Sequence, residues 1–132
     1  MTDQQKLLVQ QTFRDISLES ESTAALFYKR LFELAPEVRP LFKGDLREQG
    51  IKLMQTLSFV VSSLNHLDSI SANIKSLGER HHKYGVQPQY YGFVGEAMLW
   101  AFEQTLGQKF TPQVKESWEE VYTNLAVAML SA

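Results

Sequence analysis

The chain has 132 residues, 44% of them hydrophobic and 21% charged, with 13 Lys and Arg against 15 Asp and Glu for a net charge of −2. That is the profile of one globular domain, 1–132, with apolar side chain enough for a real core and none of the basic bias of a nucleic-acid binder. Cysteine is absent, which excludes disulfides, thiol catalysis and cysteine-ligated zinc or iron–sulfur centres.

The hydrophobic period is helical nearly throughout and no alternating strand stands out, so the predicted class is all-α. Asp3 is predicted to cap a first helix that carries Leu7, Leu8, Phe13 and Ile16 inward. The Ser-rich stretch 17–22 ends it and offers N-caps for the next. That second helix turns Ala24, Phe27, Tyr28, Leu31 and Ala35 to its buried side and stops before Pro36. Pro36 and Pro40 frame a tight corner ending at Leu41 and Phe42, and Lys43-Gly44-Asp45 makes a turn. A long helix follows with Leu46, Gly50, Leu53, Leu57, Val61 and Leu64 on one face. Residues 65–69 turn the chain into a helix that carries His81. Gly85 ends this helix, Pro88 opens another through Tyr91, Met98, Phe102 and Leu106, and Gly107 closes it. Thr111 caps and Pro112 begins a last helix through Val114, Trp118, Val121, Tyr122, Leu125 and Met129. The expected total is about six longer helices and one or two short ones.

The N-terminus, Met1 to Lys6, lacks the basic-then-apolar order of a signal peptide. The longest uncharged run, Leu53 to Leu67, is 15 residues and is interrupted by Gln, Ser, Asn and His. A membrane span needs about 20 predominantly apolar residues, so none is predicted and a cytoplasmic location is expected.

His81 is the residue that asks for a function. Ile70, Ile74, Leu77, His81 and Tyr84 recur at spacings of four, three, four and three, on one helical face. His82 is turned about 100° away, toward Lys75, Gly78 and Glu79. An imidazole on an apolar stripe must hydrogen-bond, titrate or bind something. Alone, it is more often a satisfied core histidine. Its surroundings reverse those odds. Gln49 lies about as far before the turn near Leu67 as His81 lies after it, so at about 1.5 Å per residue the two reach comparable heights on diverging helices. A gap between them would have His81 on one wall, Gln49 and Leu53 on the other, Phe42 at the mouth and Tyr28 on the adjoining helix. One apolar cavity with a histidine and two convergent polar groups suits a metal cofactor and a small ligand.

At these residues the sequence resembles the globins. The corner Pro40-Leu41-Phe42, the segment Gln49-Gly50-Ile51-Lys52-Leu53-Met54 and the stretch Leu77-Gly78-Glu79-Arg80-His81 carry the likeness. The run His81 to Val86 followed by Tyr90-Tyr91-Gly92-Phe93-Val94-Gly95 is similar to single-domain bacterial haemoglobins and the haem domain of flavohaemoglobins. The resemblance spans essentially the whole chain. It implies a three-over-three helical sandwich with helices A, B, C, E, F, G and H, and D absent or vestigial. It also implies a haem b cofactor, iron protoporphyrin IX, with His81 as the proximal iron ligand.

By the same resemblance, Phe42 would pack on the porphyrin, Tyr28 and Gln49 would form the distal polar pair, and Leu53 the apolar wall beside the ligand. O2 becomes partly anionic on ferrous haem, so two donors stabilise it more than they stabilise neutral CO. Tyr91 resembles the tyrosine that orients the proximal histidine. Lys52 and Arg80 would face the haem propionates, against the bland reading of solvated charges. Gly50 opposite Ala24 would let two helices cross closely. His66 and His82 read as surface residues.

One departure bears on chemistry. Flavohaemoglobins complete a His–Tyr–Glu network with a late glutamate that would align at or just past Ala132, and Glu119 and Glu120 lie about three turns too early. A weaker electron push from His81 is therefore expected. With the chain read to its last helix, no flavin or nicotinamide domain is expected, and redox turnover is expected to need an outside reductase. The resemblance thus implies reversible O2 binding for storage, delivery or scavenging, with O2, CO and NO as ligands. NO dioxygenation uses the same residues, gas or redox sensing would require an output domain, and a haemless interaction module would leave His81, Phe42 and Gln49 together unexplained.

Overall fold

A computed structural model describes residues 1–131. Among these residues six α-helices form and no strand: α1 (Asp3–Ser17), α2 (Ser20–Leu34), α3 (Leu46–Ser62), α4 (Ser71–Lys83), α5 (Tyr90–Leu106) and α6 (Pro112–Leu130). Three 3-10 segments, Pro36–Leu41, Leu64–Ile70 and Gly107–Lys109, supply the corners. The bend at residues 43–45 contains no helix, so a D helix is absent.

Local chemistry sets the ends. Thr2, rather than Asp3, caps α1: its hydroxyl accepts the Gln5 N–H at 3.1 Å and the Gln5 side chain accepts the Thr2 N–H at 2.8 Å. This reciprocal capping box satisfies two free donors where a lone aspartate would satisfy one. The serines do separate α1 from α2, but Glu19 occupies the cap position and makes no side-chain cap bond. Asp45 caps α3 through the Arg47 N–H at 2.9 Å. Pro88 lies in a turn, and α5 begins only at Tyr90. Thr111 accepts the Val114 N–H at 3.2 Å with Pro112 in the first turn of α6, as the sequence predicts.

The helices stack three over three, α1, α3 and α4 against α2, α5 and α6. The principal contacts are α2 with α5 and α3, and α6 with α1 and α4. Trp118 anchors the centre at 1% exposure. Its ring meets Phe102 edge-on at 4.7 Å and lies 6.1 Å from Phe13, while its indole N–H donates to Thr12 at 2.9 Å. The buried indole is thus fully satisfied. Gly50 meets Ala24 as expected, since a Cβ added there would stand 2.9 Å from the Ala24 methyl.

Three expectations of burial change. Leu7 is 46% exposed because the buried face of α1 runs through Val9, Thr12, Phe13 and Ile16. Tyr84 is 64% exposed although, as the C-cap residue of α4, its backbone still follows the helical spiral. Gly78 is buried rather than outward, since α4 lies so close to α6 that a Cβ on Gly78 would run into the Met129 carbonyl. No helix among the described residues is long and apolar enough to cross a membrane.

Candidate functional site

A seam lies between α3 and α4. α3 rests on α2 and α1, and α4 rests on α6, but α3 and α4 share no substantial packing despite their short 3-10 connection. The side chains singled out by sequence sit on four elements: Tyr28 on α2, Phe42 just after the first 3-10 corner, Gln49 and Leu53 on α3, and His81 on α4.

His81 lies in the last turn of α4, half-buried. Its Nδ1 stands 2.8 Å from the Leu77 carbonyl one turn back. A carbonyl can only accept, so Nδ1 carries the proton and the neutral ring has its lone pair on Nε2. Nε2 takes no hydrogen bond among the described residues. A backbone-oriented imidazole with a free Nε2 is the arrangement of a metal ligand. Among the described residues no three His, Cys, Asp or Glu side chains gather to hold a bare ion. A metal held by His81 must therefore bring most of its own ligands.

Beyond α4 the chain reverses at Gly85, with φ +90, and the Val86 N–H returns to the His81 carbonyl at 3.1 Å. Leu41, from the corner before α3, comes within 3.6 Å of the position a Cβ on Gly85 would take. This contact brings the Phe42 corner to the end of the His81 helix.

On α2, Tyr28 is only 6% exposed, and its hydroxyl makes no hydrogen bond among the described residues. Burial pushes its pKa up to about 12, so the phenol is protonated and available as a donor at neutral pH. Its ring sits edge-on to Phe27 at 5.0 Å and to Phe42 at 5.4 Å, and is stacked near Phe32 at 6.1 Å. Gln49 and Leu53 are half-buried, one turn apart on α3, and the Gln49 amide nitrogen reaches over the Gly44 turn. Lys52 and Arg80 are exposed on α3 and α4 and join none of the ion pairs among the described residues.

Tyr91 departs from the expected geometry. The partner of His81 Nδ1 is the Leu77 carbonyl, and the Tyr91 hydroxyl makes no hydrogen bond to His81. What the structure fixes instead is the Tyr91 backbone, whose carbonyl accepts the Tyr122 hydroxyl at 2.6 Å. The Tyr122 ring fits because Gly95 has no side chain; a Cβ there would stand 2.6 Å from the ring. Burial raises both tyrosines, and Tyr91 raises Tyr122 further. Neither Glu119 nor Glu120 bonds to Tyr91 or His81, and Ala132 lies outside the described residues.

Sequence reasoning missed the Leu77 carbonyl and the Tyr122–Gly95 fit. A backbone acceptor has no letter of its own, whereas a glycine and a tyrosine on facing helices are at least a visible pair. Two surface concavities, of about 430 and 490 Å3, lie elsewhere. The larger lies between α2 and α3 and touches Tyr28, but neither includes His81. A free imidazole nitrogen on α4 and an unpartnered phenol on α2 are the two groups chemically equipped to meet a ligand.

Six helices in two layers, with a histidine and a phenylalanine corner on the seam between the third and fourth, define a globin. The globin family model matches residues 25–129, and the chain belongs to that family. Among its relatives, a flavohemoprotein of Rhizobium meliloti is 28% identical over 96% of this chain, which spans 32% of that protein's length. A neuroglobin of Tetraodon nigroviridis is 26% identical over 98% of this chain and 90% of its own. Among solved structures, an engineered carbene transferase from a Rhodothermus marinus protein assigned as a nitric oxide dioxygenase superposes with TM-score 0.89. It is 27% identical, over 99% of this chain and 92% of that one.

Proposed function

We propose that this chain is a haem globin that binds oxygen reversibly, with His81 as the iron ligand. The observation that carries the reading is the hydrogen bond from His81 Nδ1 to the Leu77 carbonyl at 2.8 Å, which leaves the lone pair on Nε2. Haem b supplies four of its own ligands to iron and, when bound, the capacity to take up a diatomic gas. The residues present fit it. Phe42, Leu53 and Leu77 are apolar, partly buried side chains packed on the core, and the Tyr28 phenol makes no hydrogen bond among the described residues.

In this reading His81 anchors the cofactor through Nε2 while Leu77 holds the ring's orientation. Tyr28 and Gln49 donate to the gas, favouring a ligand that carries negative charge, O2 over CO. Leu53 and Phe42 keep water from the ligand. Tyr91 backs the proximal side, held by Tyr122. Lys52 and Arg80, exposed and unpaired on either side of the seam, would meet the propionates. The location is cytoplasmic, with an external reductase returning the protein to its ferrous form.

A second reading is favoured by the Rhodothermus marinus relative's assignment. NO and O2 would be joined to nitrate, at one electron per turn from the reductase. The test is consumption of NO by the reduced protein with a generic reductase, alongside its oxygen equilibrium. Reversible oxygenation with no catalytic NO consumption is the expected result. Sustained stoichiometric nitrate formation would favour the enzyme instead.

A further inference from the structure

We propose that Arg39 is a positioning residue for the distal side: it fixes the Phe42 corner and, through the Phe42–Phe32–Tyr28 aromatic cluster, the direction of the Tyr28 hydroxyl. The inference rests on the reading of Tyr28 as a donor to the gas.

Arg39 lies in the 3-10 turn Pro36–Leu41, between the end of α2 and Phe42. Two hydrogen bonds tie it to Phe42 in opposite senses. The Phe42 N–H donates to the Arg39 carbonyl at 3.1 Å, and the Arg39 guanidinium donates to the Phe42 carbonyl at 3.1 Å. The guanidinium carbon also stands 5.3 Å from the centre of the Phe32 ring. Phe32 and Phe42 meet edge-on at 5.5 Å, and each contacts Tyr28. One planar cation therefore covers one of the three rings around the phenol and holds the backbone of a second. Lysine, a point charge without a flat face, matches only part of this arrangement.

Arg39 makes no ion pair that would draw it away. Neither Lys43 nor Gly44 makes a backbone hydrogen bond before Asp45 caps α3, so the polar contacts of the Phe42 backbone come from Arg39 while its ring packs on Phe32 and Tyr28. A tyrosine packed between aromatic rings points its hydroxyl where the rings direct it. Loosening Phe42 lets that hydroxyl swing without unfolding the core.

The test combines nuclear magnetic resonance of ring-labelled tyrosine, with and without haem, and O2 release from the haem-loaded protein. The Tyr28 signal is assigned by its loss in Tyr28→Phe. Arg39→Ala is expected to shift and broaden it, and Arg39→Lys to restore much of it. O2 release should quicken about threefold in Arg39→Ala, the scale of one exposed cation–π contact. In the Tyr28→Phe background Arg39→Ala should add nothing. An unmoved Tyr28 signal overturns the proposal, as does an equal acceleration in both backgrounds. If Tyr28→Phe alone leaves O2 release unchanged, the donor reading fails, while the resonance signal still decides whether Arg39 positions the ring.

Discussion

A neutral imidazole has two nitrogens and one proton, and in this protein a backbone carbonyl decides which nitrogen keeps it. Leu77 accepts from Nδ1, so in the neutral ring Nε2 carries the lone pair. Tyr28 is the complementary case, a phenol whose pKa burial pushes up to about 12 and which finds no partner among the described residues. Tyr28→Phe should accelerate O2 release roughly tenfold, the worth of about 1.4 kcal/mol of hydrogen bonding. Stopped-flow displacement of O2 checks this, and an unchanged rate would remove Tyr28 from the distal role. The same burial has a consequence for stability. The native state keeps the Tyr28 proton after the unfolded chain begins to lose it near pH 10. Stability is therefore full below pH 10 and falls as pH rises toward about 12. Urea unfolding across that window should show a shallower decline for Tyr28→Phe, and an equal decline would mean that the phenol is not desolvated. His81 and Tyr28 were legible because each sits on an otherwise apolar helical face. The orienting carbonyl was not, since every residue carries one and only the folded turn selects Leu77.

Among the helices, α4 carries His81 yet is the least enclosed. Only Ile74 and Gly78 are buried along it, and its main support is α6 on one side, with the seam on the other. A helix with so little buried apolar surface opens at low cost, and a ligand that fills the seam should close it. Hydrogen exchange in the haem-free chain is expected to be faster for α4 amides than for α5 amides, with α4 becoming protected on haem loading. Equal protection of the two helices without haem would contradict this. The one tight contact α4 makes is through Gly78, so Gly78→Ala must push the helix from the Met129 backbone. A loss of about 2–3 kcal/mol in urea unfolding is the expected cost of such overpacking. A variant as stable as the parent would mean that the two helices can separate freely. Periodicity located α4 and its apolar stripe, but it put Gly78 with the solvent face and Tyr84 with the buried one. Helical phase alone cannot see that α6 approaches Gly78 from the other side, or that Tyr84, at the end of α4, is left uncovered. Pro88 misled for a related reason: it begins a turn, and two further residues pass before α5 starts.

For the molecule as a whole, composition and helical period were enough for the all-α class, and the ordered motifs from Phe42 to Tyr91 were enough for the globin likeness. The seam was legible only indirectly, from polar residues at matching heights on two helices. That those helices fail to pack on each other is a property of the assembled layers. The chain spans about a third of the length of its flavohemoprotein relative, so the electron supply proposed for it is a separate question from the site itself. The direct test of the site is the absorption spectrum of the haem-loaded protein, reduced, oxidised and with CO, beside that of His81→Gly. One haem per chain with a sharp Soret band is expected, with CO shifting the band of the reduced form. In His81→Gly the reduced spectrum should change and added imidazole should restore it. No haem uptake by the parent chain, or a His81→Gly spectrum identical to the parent's, would contradict His81 as the iron ligand.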